Sequence, residues 1–421
     1  MKAFLADRRK AAAAVFLVAL VLRLGFLWRQ GPPAEIVGDA IEYRAYAVHV
    51  LDAGTYAADA GERATRMPGY PLFLAAVFAA LGRSPLPVLI LQSVLGAGTC
   101  VLLYGLAGEL LPPLWAAGAG LAAAVSLDLI APCSALLSEC LFSFLLVLGA
   151  RVLYKAEWAP GRRAAAFGVL SALLYLVRPE PLPYFLATAL FLPYLFPRFG
   201  RRETLKALAA AALVASVWIG RNAAVFGRPV PASTVGKTVA YLALEIPANR
   251  LGLSPEPRHV APSGLDELAR DRDFALEYRA LAARLSWPQL VRCYVLNLSL
   301  ILYPFLPEYD WTYAVLVPFW LIGFALALLK DKRFLPPSAA VAFSLGIFIF
   351  FGGPASRYRQ GIAPFLILLA FAGLKACADR VGARRLRLWG GAWLAVNVLG
   401  WLAQAQFRGA VVSLLSRRGL H

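Results

Sequence analysis

The stretch Ala11–Trp28 has the sequence AAAAVFLVALVLRLGFLW, an apolar run interrupted only by Arg23. A polar stretch follows it, Gly38–Phe73, with the sequence GDAIEYRAYAVHVLDAGTYAADAGERATRMPGYPLF. The first run approaches the ~20 apolar residues that cross a bilayer as a helix. It is too long for the apolar part of a signal peptide, so we interpret it as a membrane anchor. The polar stretch ends before the next long apolar run, Pro85–Leu106, and we expect functional side chains in it.

The overall composition is that of a membrane protein. Hydrophobic residues make up 60% of the 421 residues, and the mean hydropathy is +0.66. Charged residues account for only 16%, compared with about 25% in a soluble domain. We expect spans near residues 11–28, 85–106, 114–131, 136–154, 165–180, 183–197, 207–225, 312–329, 335–352, 360–377 and 388–405. The predicted fold class is therefore an all-α polytopic membrane protein with about 11–13 transmembrane helices.

Two apolar segments are exceptions to this pattern. Tyr70–Leu81 is too short to span a bilayer and predicts an interfacial or re-entrant helix. Trp287–Phe305 is interrupted by Pro288 and Pro304, and we place it at the outer surface. The outer loops are thus expected to carry short interfacial helices on a single domain, 1–421.

The net charge of +18 follows the predicted topology. Basic residues cluster in alternate connections between spans, which is the positive-inside pattern. The clusters are Lys2/Arg8/Arg9/Lys10, Lys155/Arg162/Arg163, Arg198/Arg201/Arg202/Lys206, Lys330/Lys332/Arg333 and Arg380/Arg384/Arg385/Arg387. This pattern places outer loop one, 30–84, and outer loop two, about 226–286, outside the cytoplasm. Because topology explains the charge, nucleic acid is not a predicted partner.

Cysteines and histidines define no site in this sequence. The five cysteines are scattered through apolar segments without Cys-x-x-Cys spacing, and the three histidines form no pair. An odd, scattered set of cysteines predicts neither a disulfide framework nor a zinc site.

Two acidic positions each admit two interpretations. Asp39 and Tyr43 are four residues apart and share a helical face, while Asp39 and Glu42 also match a helix-capping box. Glu139 begins an apolar helix, where the helix dipole stabilises a carboxylate. An acid embedded in a membrane is nevertheless a functional candidate. Either reading of each acid stays open at this point.

Arginines recur at the outer ends of the predicted spans. Arg66 lies in a turn rich in Pro and Gly, and the others are Arg178, Arg221, Arg357 and Arg359. A single arginine at such a level is usually an interfacial anchor with its head in water. Several at one level, together with acids, favour a phosphate site, because the planar guanidinium matches phosphate oxygens.

Six short motifs occur in the order typical of a known family. The chain resembles, over nearly its whole length, the membrane-embedded GT-C glycosyltransferases of the protein-mannosyltransferase and lipid A aminoarabinose-transferase type. The motifs are Gly38-Asp39-Ala-Ile-Glu-Tyr43, Arg66-x-Pro-Gly-Tyr70-Pro-Leu-Phe, Ser138-Glu139-x-Leu-Phe, Arg178-Pro-Glu, Arg221-Asn-x-x-x-Phe-Gly-x-x-Val-Pro-x-Ser-Thr and Ser356-Arg357-Tyr358-Arg359. The chain departs from the family at Gln360-Gly361, where Leu-Pro is expected, and it lacks the large soluble C-terminal domain of some relatives.

The resemblance implies a polyprenyl-phosphate sugar donor and a lipid, glycan or protein acceptor. The expected location is the bacterial inner membrane, with membrane lipids around the chain and the active site facing the periplasm. Asp39 and Glu139 are the implied catalytic residues, and both are candidate ligands for the divalent metal ion that some members hold. The implied substrate-binding residues are Tyr43, Arg66, Tyr70, Arg178, Arg221, Arg357, Tyr358 and Arg359.

The residues and the resemblance agree on a mechanism. Transfer to a hydroxyl needs a base, for which Asp39 is the candidate, and positive charge on the leaving phosphate, for which Arg66, Arg357 and Arg359 are candidates. A metal ion could share that second role. A single displacement would invert the anomeric centre. If the acceptor is a phosphate, no base is needed, and Asp39 would orient it or bind a metal.

The alternative function is a lipid-linked sugar flippase or transporter without transfer chemistry. Such a protein needs polar groups along a path through the bilayer midplane. The predicted spans are nearly bare of such groups except for Arg23, which we expect to extend outward to the interface. The sequence therefore favours the transferase.

Overall fold

The first helix, α1 (Arg8–Gln30), contains the apolar run that opens the sequence. The carboxylate of Asp7 caps it by accepting hydrogen bonds from the backbone N–H groups of Arg9 and Lys10 at 3.1 and 3.2 Å. Gly31, with φ +70°, ends it. The computed structural model describes residues 7–32, 35–58, 61–254, 258–304, 310–352 and 356–403, without the side chains of residues 383 and 387.

The rest of the described chain is also helical, and no strand occurs within those ranges. The helices are α2 (Asp39–Ala53), α3 (Gly69–Leu81), α4 (Pro85–Leu110), α5 (Pro113–Val125), α6 (Leu127–Ile130), α7 (Glu139–Leu153), α8 (Pro160–Val177), α9 (Leu182–Leu190), α10 (Leu192–Leu195), α11 (Arg201–Phe226), α12 (Gly236–Arg250), α13 (Glu267–Arg284), α14 (Trp287–Leu302), α15 (Trp311–Ala314), α16 (Val317–Leu329), α17 (Leu335–Phe351), α18 (Arg357–Gln360) and α19 (Ala363–Leu402). Short 3₁₀ helices cover Ala131–Ser134 and Lys332–Phe334.

Several helices are long and apolar enough to cross a membrane. Within the described ranges these are α1, α4, α11 and the segment Lys332–Phe351. A fifth candidate is the bent pair Pro113–Val125 and Leu127–Ser134, whose parts meet at 64°. The prediction of an all-α polytopic membrane protein is confirmed. The number of spans, about 11–13, stays a prediction.

Two of the expected spans are broken by local chemistry. The segment near 114–131 bends at Ser126, between α5 and α6. The segment near 183–197 divides at Phe191, where Pro193 in the first turn of α10 cannot donate a helical hydrogen bond. The expected spans near 360–377 and 388–405 both fall in α19, and its interruption at Gly382, with φ +77°, lies between them. The end of the last span, beyond residue 403, lies outside the described residues.

Both outer loops contain helices. Loop one holds α2 and α3, and the 13 residues of α3 agree with the short helix expected over Tyr70–Leu81. Loop two holds α12 and α13. The following segment forms α14, a helix of 16 residues, because Pro288 lies in its first turn, where no helical donor is lost.

The described chain divides into two compact units. Unit 1 comprises Met1–Ser233, Pro318–Ser344 and Gln360–Ala376. In it α1 packs against α4 and α5, and α8 packs against α7 and α11. Helices α16 and α19 approach so closely that a Cβ on Gly323 or Gly373 would meet the backbone of the other helix. Small residues allow such backbone contact between membrane helices.

Unit 2 comprises Thr234–Val317, Leu345–Arg359 and Cys377–His421. Its core joins α12, α13 and α14 through the buried side chains Tyr241, Leu244, Ala248, Leu281, Leu285 and Cys293. The buried Asn297 of α14 donates to the carbonyl oxygens of Ala243 and Ile349 at 2.6 and 2.9 Å. The prediction of a single domain over 1–421 stays a prediction.

The topology can be tested with cysteine labelling at two exposed positions. In a variant without native cysteines, Thr55→Cys in loop one should react with a membrane-impermeant maleimide in intact cells. Ala159→Cys, in the basic connection between α7 and α8, should react only after permeabilisation. Both positions are exposed, whereas Ala58 near the centre of the loop is 6% exposed and unsuitable. The reverse labelling pattern would put the loop-one acids in the cytoplasm.

Candidate functional site

Arg66 is held by two carboxylates from the first turn of α2. Its Nε and Nη2 donate to Oε2 and Oε1 of Glu42 at 2.8 and 3.0 Å, and Nη2 also donates to Oδ1 of Asp39 at 2.8 Å. The contact to Glu42 is a bidentate fork, the strongest arginine–carboxylate geometry. Burial alone would lower the pKa of Arg66, but the hydrogen bonds to Glu42 and the charges of nearby groups raise it.

The helix-capping interpretation of Asp39 and Glu42 is wrong. Asp39 is the first residue inside α2, and the residue that precedes the helix is Gly38, which has no side chain to cap it. Glu42 instead directs both oxygens to Arg66, on the turn before α3. The two acids therefore join loop one to itself across more than twenty residues of chain.

Tyr43 lies at the centre of the site. Its ring is buried, the guanidinium of Arg66 lies 5.4 Å from its centroid, and the ring of Tyr70 packs edge-on at 4.9 Å. Its hydroxyl is 3.4 Å from Oγ of Ser138, the residue that precedes α7. Burial raises the pKa of the Tyr43 phenol, so it stays protonated. Tyr43 thereby connects loop one to the start of α7.

A close backbone contact fixes the turn that carries Arg66. A Cβ on Gly69 would lie 2.8 Å from the backbone of Leu176 and Val177, at the end of α8, so only glycine fits here. The next residue, Tyr70, is fully buried, and its hydroxyl donates to Oε1 of Gln92 at 2.7 Å. The turn is thus seated against the segment that leads to Arg178.

Arg178 lies between two buried carboxylates. Its Nη1 is 3.2 Å from Oε1 of Glu139, and its Nε is 2.5 Å from Oε1 of Glu180. Glu139 is the first residue of α7 and is 1% exposed. Glu180, in the connection between α8 and α9, is also buried. Because they are buried, neither Glu139 nor Glu180 is in contact with bulk solvent.

Arg66 and Arg178 each form ion pairs with two carboxylates. The resulting cluster has four carboxylates and two guanidiniums, contributed by Asp39, Glu42, Glu139, Glu180, Arg66 and Arg178. The arginines are already compensated, so the cluster carries an excess of negative charge. An excess of negative charge suits a site that removes a proton from a substrate. It is less suited to a site that only binds an anion.

Arg221 holds the rest of loop one in place. Its Nη1 and Nη2 donate to the carbonyl oxygens of Arg63 and Tyr56 at 2.8 and 2.6 Å. Tyr56 stacks on Tyr46 with ring centroids 4.4 Å apart and donates to the carbonyl oxygen of Arg66 at 3.0 Å. A role of Arg221 in substrate binding stays a prediction, and its described hydrogen bonds to loop one are to backbone groups.

A small cavity of about 10 Å³, room for about one water molecule, lies beside Glu139. Its polar lining includes Asp128, Glu139, Thr99 and Ser143. Asp128 is 5% exposed and belongs to the bent segment after α5. A second buried carboxylate therefore faces the same space as Glu139.

The predicted divalent metal at Asp39 and Glu139 finds no matching ligands. Within the described ranges, no three His, Cys, Asp or Glu side chains are grouped so that they could hold a metal ion. Each of the two acids lies against an arginine, which competes with a cation for the same oxygens. The residues present do not fit a metal site, and the steps proposed below involve none.

Unit 2 contains the predicted substrate-binding residues Arg357, Tyr358 and Arg359. Arg359 is 2% exposed; its Nη1 donates to the carbonyl oxygens of Ile301 and Tyr303 at 3.2 and 3.1 Å. Its Nη2 is 3.4 Å from Oδ2 of Asp310. This geometry stabilises the end of α14, whatever further role Arg359 has.

The neighbours of Arg359 are less deeply buried. Tyr358 stacks on Phe348 with ring centroids 4.8 Å apart, and the Arg357 guanidinium lies 5.8 Å from the Tyr358 ring. Both side chains are half-buried. Their predicted contact with substrate stays a prediction.

Arg23 does not extend outward as expected. It is 1% exposed within α1, and its Nη1 donates to the carbonyl oxygens of Ala19 and Ala124 at 3.0 and 3.3 Å. Its Nη2 donates to Sγ of Cys100 at 3.3 Å. The expectation is wrong because groups within the bundle accept hydrogen bonds from Nη1 and Nη2, although the buried Nε has no partner among the described residues.

Sequence reasoning missed part of the site. Glu180 and Ser138 lie inside quoted motifs, so their position beside Arg178 and Glu139 was a usable signal. Tyr56 and Gln92 gave no such signal, because they join the site only through tertiary contacts.

The sequence matches no family model and no curated protein. Among solved structures, the chain is similar to the archaeal oligosaccharyltransferase AglB from Archaeoglobus fulgidus in complex with an inhibitory peptide and a dolichol-phosphate, at 14% identity and TM-score 0.46, over 93% of this chain and 54% of that one. It is also similar to the same enzyme in complex with Zn and sulfate, at 14% identity and TM-score 0.45, over 93% of this chain and 51% of that one.

A shorter solved structure is also similar, ArnT from Cupriavidus metallidurans bound to undecaprenyl phosphate. It is 13% identical with TM-score 0.42, over 90% of this chain and 80% of that one. The predicted resemblance to GT-C glycosyltransferases is confirmed as a likeness to these structures. At such identities and TM-scores the likeness concerns fold and says nothing of chemistry. The chain spans about half the length of the oligosaccharyltransferases.

The structural role of Arg359 predicts a loss of stability. Arg359→Gln should destabilise the protein by about 3 kcal/mol, because it leaves Asp310 as a buried charge without its cation. The measurement is the thermal unfolding midpoint of the purified protein in detergent. Arg357→Gln, the half-buried neighbour, is the matched control and should change it far less. Adding Asp310→Asn to Arg359→Gln should recover part of the loss, and equal stability of both single variants would contradict this role.

Proposed function

We propose that the protein is a membrane glycosyltransferase. It moves a sugar from a polyprenyl-phosphate donor to a lipid, glycan or protein acceptor and inverts the anomeric centre. The observation that carries this proposal is the partly exposed carboxylate of Asp39, held by Arg66 in the same cluster as the buried acids Glu139 and Glu180. The proposed location is the bacterial inner membrane, with the site facing the periplasm.

Exposure assigns the role of base to Asp39 and not to Glu139. The Asp39 side chain is 23% exposed, whereas that of Glu139 is 2% exposed and paired with Arg178. An acceptor hydroxyl must come within about 3 Å of the base, so only the more exposed carboxylate is accessible. Glu139 is then a positioning residue that fixes Arg178.

The proposed step is a single displacement. Asp39 takes the proton of the acceptor hydroxyl, whose oxygen attacks the anomeric carbon as the carbon–oxygen bond to the donor phosphate breaks. The electron pair of that bond leaves with the polyprenyl phosphate. Arg66 lies against Asp39 and stabilises its ionised form, the form that a base requires.

The leaving phosphate gains negative charge and needs a cation nearby. Arg66 and Arg178 are the guanidiniums of the cluster, and each can exchange one carboxylate partner for a phosphate oxygen. Arginine suits this exchange because its planar fork binds carboxylate and phosphate alike. The predicted contribution of Arg357, Tyr358 and Arg359 is part of the same proposal.

A flippase or transporter is the second candidate. The observation in its favour is the buried Arg23, since it shows that the bundle of unit 1 does hold a charge. Its Nη1 and Nη2, however, donate to carbonyl oxygens and a thiol of the bundle, and these contacts tie the guanidinium to neighbouring helices. Incubating the purified protein with a panel of polyprenyl-phosphate sugars separates the two, because only a transferase releases the free lipid phosphate.

Asp39→Asn tests the base. It preserves size and one hydrogen-bond acceptor for Arg66 but removes the charge and most of the basicity. We expect release of polyprenyl phosphate at least about a hundredfold slower, the lower end of what general-base catalysis contributes. The matched control is Asp52→Asn on the same helix, where the exposed Asp52 pairs with Arg83, and its rate should equal that of the wild type.

If the Asp39→Asn protein transfers sugar at nearly the wild-type rate, Asp39 is not the base. Glu139 and Asp128 would then be the acids to test by the same substitution strategy. Transfer to a phosphate acceptor in place of a hydroxyl would also leave the rate high, and analysis of the product distinguishes this case.

Arg66→Lys tests the fork that orients Asp39. A lysine keeps the charge but cannot grip both oxygens of Glu42 and reach Asp39 as well. We expect transfer to slow by about tenfold to a hundredfold, in line with about 1–3 kcal/mol for hydrogen bonds to charged groups. Arg83→Lys is the matched control, because Arg83 pairs with Asp52 on the exposed surface. Equal rates for the two variants would show that the fork does not matter.

A further inference from the structure

Three basic connections of unit 1 lie far apart in sequence. They are the segments 155–163 between α7 and α8, 198–206 leading into α11, and 330–333 between α16 and α17. Together these segments contain ten Lys or Arg residues and three acidic residues. The sequence places them on one side of a membrane but does not bring them together.

The structure joins the three connections by direct contacts. The hydroxyl of Tyr154 donates to the carbonyl oxygen of Arg333 at 2.5 Å. Nζ of Lys332 donates to the carbonyl oxygen of Tyr194 at 3.1 Å and lies 5.0 Å from its ring centroid. The guanidinium of Arg163 lies 4.7 Å from the ring of Phe199. The three segments therefore form one basic surface, here called the basic face.

Two cations of the basic face pack on the ring of Trp158. Nζ of Lys155 lies 4.5 Å and the guanidinium of Arg162 lies 4.0 Å from its ring centroid. Trp158 is half-buried and Arg162 is exposed. Cations held against tryptophan and tyrosine rings are typical of the level at which a protein meets lipid headgroups.

The basic face lies at the opposite end of the α7–α8 hairpin from the candidate site. Helix α7 runs from Glu139, in the site, to Leu153, and α8 returns from Pro160 to the residue before Arg178. At 1.5 Å per residue these helices are about 22–27 Å long. That length is shorter than the hydrocarbon core of a bilayer, about 30 Å. Helix α11 is a candidate span that begins at Arg201 in the basic face and contacts loop one through Arg221. At 1.5 Å per residue its 26 residues are about 39 Å long.

We propose that the basic face binds the phosphate of an anionic phospholipid in the leaflet opposite the candidate site. The ligand class follows from the excess of cations, the aromatic rings at the same level, and the distance from the site. Lys155 and Arg162 contact the phosphate while Trp158 lies along the glycerol and upper acyl chains. This binding is separate from the donor lipid, and it does not depend on the proposed function.

Lipid titration followed by native mass spectrometry tests the proposal. The purified full chain in maltoside detergent is titrated with dioleoyl phosphatidylglycerol or dioleoyl phosphatidylcholine. The wild type should bind the first at least about tenfold more tightly. Lys155→Gln/Arg162→Gln should weaken phosphatidylglycerol binding about twenty-five-fold, since each interfacial cation contributes about a factor of five, and should leave phosphatidylcholine binding unchanged.

The matched control is Arg8→Gln/Arg9→Gln, which removes two exposed cations at the start of α1. It should change phosphatidylglycerol binding by no more than about twofold, and the charge-preserving Lys155→Arg/Arg162→Lys should bind as the wild type does. Unchanged phosphatidylcholine binding shows that the variants are folded. Equal binding of both lipids by the wild type, or equal losses in the two glutamine pairs, would overturn the proposal.

Discussion

The guanidinium of Arg66 is the contact on which the candidate site depends. Its fork grips Glu42 and reaches Asp39, so the first turn of α2 and the turn before α3 form one body. Gly69 then seats that body on the end of α8, because no side chain fits there. Without the fork, the carboxylates of Asp39 and Glu42 would repel each other on the first turn of one helix.

The arrangement of charges explains how the site can remain in place next to a membrane. Burying an ion costs free energy unless it is paired and hydrogen-bonded, and each arginine here serves two carboxylates. The two guanidiniums neutralise part of the negative charge of the four carboxylates, and the cluster remains anionic. Asp39 is accessible at its surface, whereas Glu139 is buried. A donor phosphate would have to replace one carboxylate on Arg66 or Arg178, because each guanidinium already pairs with two acids.

The hairpin of α7 and α8 has acidic side chains at one end and basic side chains at the other. Glu139 lies at the start of α7, and Arg178 and Glu180 follow the end of α8. The basic face lies at the other end of the hairpin, where the two helices connect. Both features use arginine, but they use it differently. In the site the guanidiniums are enclosed by carboxylates, whereas on the basic face the exposed Arg162 lies on the ring of Trp158 and the buried Arg163 lies on that of Phe199.

The sequence alone determined the class of this protein, because apolar length and alternating basic clusters follow from the cost of placing polar groups in lipid. It also placed Asp39, Tyr43, Arg66 and Glu139 in short motifs. It left a helix cap open for Asp39 and Glu42 and wrongly expected Arg23 at the interface, since local spacing cannot show which distant partner a charged side chain meets. Only the tertiary structure decided that Arg66 joins two acids and that Glu139 is enclosed, because those facts depend on contacts between segments far apart in the chain.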